Sequence, residues 1–214
     1  MFKKIFAFVL LFPCVAFADD LCSRFQYDPD IKINKTINDD INITKSDRPL
    51  NYELGHAIMQ PGYESRFYIV GIPVDGGYCM SLRGVDINFL YPDFNIVVDK
   101  NLKEGSCAYN HVLKHEKDHV INTRKVLDDN LKNAEENVLA KIARSIKPVF
   151  VAGIQGMDAV RSSMGQQFQN HPDMVAFIQK IQNEIEQENQ KIDTRGDQYE
   201  IYKCQDFFEE SKNR

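Results

Sequence analysis

Cys107-Ala-Tyr-Asn-His-Val-Leu-Lys-His-Glu-Lys-Asp-His-Val-Ile-Asn-Thr-Arg124 is the stretch on which the reading of the chain turns. Neither Gly nor Pro occurs between Cys107 and Lys147, and the adjacent pairs Val112-Leu113, Val120-Ile121 and Val126-Leu127 recur at about two helical turns. Apolar residues at that spacing line one face of a helix, so the stretch is expected to be helical. At its centre stands His115-Glu116-Lys117-Asp118-His119. Residues four apart on a helix share a face, which lets the two imidazoles hold one metal ion. Glu116 lies about 100° round the helix from His115 and faces the open side of such an ion.

That grouping suits hydrolysis. Zinc lowers the pKa of a water it binds to about 7, and a carboxylate beside it can take the proton and later give it to a leaving amine. The pentad resembles that of the zincin metallopeptidases, and with an export signal the whole chain looks like the small secreted zinc-dependent proteases of bacteria. The resemblance covers the pentad and its helix. It implies zinc as cofactor, His115 and His119 as ligands, Glu116 as general base and a peptide or protein as substrate.

The start of the chain is expected to be removed. Lys3 and Lys4 precede an apolar run, Ile5 to Phe12, and Ala16-Phe17-Ala18 forms a small-residue cleavage site before Asp19, which together read as a secretory signal peptide over residues 1–18. The run is too short to span a membrane, so no stable membrane insertion is expected. Cys14 would serve a lipoprotein, but Phe12 and Pro13 before it fit a lipidation site badly. The expected location is the periplasm or the exterior. The full chain has 214 residues and a formal charge of −5, and loss of Lys3 and Lys4 makes the remainder more acidic. An acidic chain without a basic run argues against a nucleic-acid partner.

Four cysteines remain after residue 18: Cys22, Cys79, Cys107 and Cys204. In an exported protein an even number implies disulfides, here with three possible connectivities. The pairing expected is Cys22 with Cys79, tying the N-terminus to a sheet, and Cys107 with Cys204, joining two helices.

Residues 24–100 read as strands. Asp30 to Ile37 and Ile41 to Thr44 alternate apolar with polar residues. Arg66 to Val74, the turn Asp75-Gly76-Gly77 and Tyr78 to Leu82 make a hairpin, with Pro73 placing its strand at an edge or a strand end. Val85 to Leu90 and Phe94 to Asp99 flank Tyr91-Pro92-Asp93 and continue the sheet. The strand at 94–99 is a candidate edge on which an extended peptide could pair, or else a buried central strand. Ser106 is a plausible N-cap for the metal helix, which would run to about Ile146, or break at Asp128-Asp129-Asn130, before Lys147-Pro148 stops it. Val149 to Gly156 is a mixed turn region. Helices are expected at Met157 to Phe168 and, after Asn170-His171-Pro172, from Asp173 through Lys191 and on toward Cys204, with a bend at Asp193 to Gly196. The expected fold is α+β in a single domain over 19–214. Its first part, 19–105, is an antiparallel sheet. Its second, 106–208, is the long metal helix packed against an antiparallel C-terminal helix.

Two histidines alone hold zinc weakly, so a third protein ligand is needed. A Glu on a following helix would be Glu135 or Glu136. Along an unbroken helix Glu136 stands roughly 25 Å beyond His119, so it reaches only if the chain folds back near Asp128. If Cys107 is bonded to Cys204 and the helices are antiparallel, position 107 + k lies beside 204 − k. Side chains lean toward their own N-termini, which makes Asp197 the first choice, with Asp193 and Glu200 behind it. Asp193 also suits a helix N-cap, and Glu200 a solvated charge. His111 extends the pair to a ladder, His111, His115 and His119, through which the chain could instead hold zinc or copper without catalysis. Tyr109, Arg195, Tyr199 and Tyr202 could stabilise an oxyanion or could simply pack. His56 and His171 sit in loop contexts and carry no assignment.

Overall fold

The computed structural model describes residues 21–37, 40–50, 54–59, 61–91, 94–193, 201, 203 and 204. The expected signal peptide lies outside them. Among these residues the strands are β1 (Asp30–Ile37), β2 (Ile41–Lys45), β3 (Gly55–Ile58), β4 (Gly62–Val74), β5 (Gly77–Tyr91), β6 (Phe94–Val98) and β7 (Val149–Val151). The helices are α1 (Cys107–Leu131), α2 (Ala140–Ser145), α3 (Met157–Gln169) and α4 (Pro172–Asp193). The fold is α+β, with sheets first and helices after.

β5 carries the larger sheet. It pairs antiparallel with β4, parallel with β1 and antiparallel with the short β7. The two-residue turn Asp75-Gly76 joins β4 to β5, and Gly76 takes φ +78°, a conformation that glycine adopts without steric cost. β5 is one continuous strand where the sequence suggested two. Cys79, Met80, Ser81 and Leu82 are buried in succession, and Val85, Ile87, Phe89 and Tyr91 then alternate inward. Buried on both faces near its start and on one face further along, the strand shows a changing pattern although its backbone does not break.

The second sheet has the order β2-β6-β3, with β6 parallel to β2 and antiparallel to β3. Phe94 to Val98 therefore does not continue the first sheet, and it is the centre of its own sheet rather than an edge. Phe94, Ile96 and Val98 are buried beneath α1. The edge beside the helix is β3, a four-residue strand that the sequence pattern did not reveal. Both sheets contain a parallel pair, so neither is the purely antiparallel sheet expected. The connections between parallel partners are long enough to cross over.

α1 begins at Ser106, whose hydroxyl accepts the Tyr109 N–H at 3.1 Å. It ends at Leu131, and a π-helical turn, Glu135–Leu139, leads into α2, so the single helix to Ile146 does not form. Asp128 to Asn130 stay helical, and each has its side chain engaged, Asp129 by accepting from Lys132 at 2.6 Å. Asp128 accepts from Lys35 at 2.6 Å and from Tyr91 at 3.3 Å. Asn130 donates to Glu184 at 2.6 Å and to the Val126 carbonyl one turn back in its own helix at 2.9 Å, and it accepts from Lys180 at 2.7 Å.

Cys22 is bonded to Cys79 and Cys107 to Cys204. The first bond holds the segment before β1 against β5, where Ser81 donates to the Phe25 carbonyl at 2.7 Å.

Tyr91 is 2 % exposed. Burial, and then the negative charge of Asp128, raise its phenol pKa above the usual 10. A group whose pKa is raised on folding stabilises the fold below its unfolded value and loses that contribution as pH climbs through the folded one. The expected outcome is an alkaline fall in stability above about pH 10. Tyr91→Phe should shrink that fall in urea titrations at pH 8 and pH 11, while costing about 1 kcal/mol at pH 8 for the lost hydrogen bond.

Candidate metal centre

α1 and α4 lie side by side and run in opposite directions, since Asn130 meets Lys180 and Glu184 while His115 and His119 meet Asp193. The Cys107 to Cys204 bond, with Cα atoms 5.6 Å apart, closes the far end of this pair. α1 presents His115 and His119 to α4 because they stand four residues apart on one face. α4 answers with Asp193, whose neighbour Ile192 is buried and anchors that turn.

Three ligand atoms converge. His115 Nε2 and His119 Nε2 are 3.2 Å apart, and Asp193 Oδ1 stands 3.3 Å from the first and 3.1 Å from the second. The imidazole rings meet edge to face at 82°. In the ring plane an imidazole nitrogen offers either one proton or one lone pair, so it can satisfy one partner at a time. Here each nitrogen faces two partners. Hydrogen bonds among two neutral imidazoles and a carboxylate therefore cannot fill the triangle, whereas a cation at its centre satisfies all three atoms together. Ligands at about 2.0–2.1 Å from a tetrahedral zinc are spaced by about 3.3 Å along each edge, close to the spacings found. Among the described residues, His115, His119 and Asp193 form the one group of three or more with such an arrangement.

Glu116 is buried, at 6 % exposure, on the same side of α1. It lines a cavity of about 330 Å³ together with His115, His119, Asp193, Asn189 and Gly55, His56 and Ala57 of β3. Gly55 is what lets the strand come so close. A Cβ there would stand 2.6 Å from Val112 Cγ1 and 3.4 Å from Glu116 Cγ.

Asp193, the second-choice ligand, completes the group. It is the last residue of α4. Asp197 and Glu200 lie outside the described residues, as do Arg195, Tyr199 and Tyr202. Glu136 is exposed on the π-helical turn, beyond the end of α1, and is not in the group. His111 stays one turn back along α1, outside the triangle. Tyr109 is buried, its ring beneath the Lys45 ammonium, and burial, then Glu104, raises its pKa. His171 accepts the Asp173 N–H at 3.2 Å at the start of α4. His56 and Asn189 line the cavity although sequence reasoning assigned them nothing. Asn189 could have been found, since it precedes Asp193 by one helical turn. His56 carried no such signal, because its strand is recognisable only once it pairs with β6.

No family model matches the chain, and no solved structure matches it.

Gly55→Val should force β3 off α1, because the new side chain overlaps Val112 and crowds Glu116. The expected cost is about 1–3 kcal/mol in a denaturation experiment, as for other overpacked interiors. Gly62→Val, where a Cβ meets nothing within 4 Å, serves as the control and should cost much less.

Proposed function

We propose that the protein is a zinc-dependent peptidase working outside the cytoplasm, with His115, His119 and Asp193 holding the metal and Glu116 as general base. The observation that carries this reading is the near-equilateral triangle of ligand atoms with a buried carboxylate beside it. The donor set, two imidazoles and one carboxylate, is the kind that catalytic zinc sites use while keeping a position open. Bound there, zinc would supply a Lewis acid that polarises a carbonyl and acidifies water.

The chain's own residues supply the rest. Glu116 takes a proton from the attacking water and passes it to the nitrogen of the leaving amine. The water oxygen becomes part of the new carboxylate as the C–N bond breaks. Its burial limits competing contacts with bulk water. Among the described residues no strand covers the outer edge of β3, so an extended peptide can pair with its backbone alongside the cavity. The two disulfides fit an oxidising compartment. Among the described residues no helix is long and apolar enough to cross a membrane.

The first expectation is stoichiometric. The oxidised protein should bind about one zinc per chain, and His119→Ala should abolish this by removing one of three ligands. Metal analysis after dialysis checks it, and a wild type that takes up none would overturn the reading.

The second expectation concerns the base. Glu116→Gln should keep its zinc and lose at least about 10² in kcat/KM on peptides, since the amide cannot accept the proton. Retained activity in that variant would sink the role of Glu116. Zinc uptake by a wild type that cleaves no peptide would instead leave a metal-holding protein.

A further inference from the structure

β4 is the outer strand of the larger sheet, and among the described residues it pairs with β5 alone. The two-residue turn makes Val74 and Gly77 a hydrogen-bonded pair, and backbone groups alternate sides along a strand. Even-numbered residues from Gly62 to Val74 therefore bond toward β5. Tyr63, Ser65, Phe67, Ile69 and Gly71 turn their N–H and C=O outward, where no backbone hydrogen bond meets them among the described residues. Pro73, which has no N–H, falls in the same outward set, as suits a proline in an edge strand.

An open edge is a template for another strand, and proteins ordinarily blunt such edges with prolines, bulges or charge. β4 carries Pro73 near one end, and its ladder to β5 shifts between Tyr68 and Ile69, where Arg83 is the extra residue. Between the start of the strand and that irregularity lies a regular run, Gly62 to Tyr68, centred on Ser65. Its charges do not blunt it against a second copy of itself. Glu64 and Arg66 stand one residue either side of Ser65, opposite in sign, on the exposed face of the sheet. Among the described residues neither side chain has an ion pair or a hydrogen bond. Arg66 stands across from Asp86, but that carboxylate accepts from the Tyr68 hydroxyl at 2.6 Å.

We propose that two copies of the chain join through Gly62 to Tyr68, antiparallel about a two-fold axis at Ser65. Ser65 then faces itself, and Tyr63 faces Phe67 of the second copy. All three turn their backbone groups outward, so these pairs are the hydrogen-bonded ones. Glu64 faces Arg66 of the second copy in the intervening pairs, where side chains approach more closely, and the symmetry makes the contact twice. Gly62 faces Tyr68 and brings no side chain against it, and a Cβ at Gly62 would meet nothing within 4 Å in its own chain. Moving the axis by one residue, to Glu64 or to Arg66, sets like charges against each other.

Sedimentation velocity on the oxidised protein tests this. The wild type should be half dimeric at about 10–100 µM, as suits a small interface. Glu64→Arg and Arg66→Glu each place like charges opposite one another twice, so each variant alone should associate at least about tenfold more weakly. The double variant Glu64→Arg/Arg66→Glu restores both attractions and should dimerise as the wild type does. An equimolar mixture of the two single variants should do so too, because each complements the other. Amide exchange followed by NMR reads the backbone separately. Tyr63, Ser65 and Phe67 should slow by at least about tenfold when the protein is concentrated, and Glu64 and Arg66, already bonded to β5, should change less. A wild type still monomeric at about 1 mM overturns the proposal. So do single variants that dimerise as the wild type does, a mixture of them that stays apart, or a dimer in which those three amides exchange unchanged.

Discussion

The pairing of α1 with α4 is the constraint on which the site depends. Neither helix holds three ligands by itself. α1 supplies two imidazoles at one-turn spacing, and α4 brings a carboxylate to the same point only if the helices keep an antiparallel register. That register is held at several places along its length. The Cys107 to Cys204 bond closes one end, and Asn130, bridged to Lys180 and Glu184, holds the other. A shift of one residue would rotate Asp193 by about 100° away from the histidines. A covalent bond spanning 97 residues of sequence is well placed to prevent this, because it removes much of the freedom of the intervening chain.

The second sheet gives the cavity its other wall. β3 is short, and by length and composition it has little strand character. It exists because β6, buried under α1, offers it an edge, and because Gly55 lacks the side chain that would collide with Val112. The same close approach brings β3 beside Glu116 and narrows access to it. Packing and site geometry are coupled here, since the strand that packs against α1 also lines the cavity.

Charge is distributed to match. Among the described residues that line the metal cavity, Glu116 and Asp193 are acidic and none is Lys or Arg. Several cations of α1 and α4 are engaged with other partners. Lys114 pairs with Asp118, Lys180 with Asn130 and Glu184, and Lys191 with Glu188. A cleft lined by carboxylates favours a metal cation.

Much of this was legible in the residues, and the division has a physical basis. Helical periodicity and strand alternation depend on neighbours a few residues apart, so α1 from its Ser106 cap, the hairpin at Asp75-Gly76, β1 and the amphipathic α4 can be read locally. The placement of His115, Glu116 and His119 on one side of a helix follows from the same local geometry. The choice among Asp193, Asp197 and Glu200 does not, because it turns on how two helices settle against each other within one residue of register. The centrality of β6, the existence of β3, and the gathering of His56 and Asn189 around the metal ligands likewise come from contacts between distant segments. The sequence by itself determined the chemistry available on α1. Only the tertiary structure decided which carboxylate and which strand stand beside it, since those depend on packing across the whole chain rather than on spacing along it.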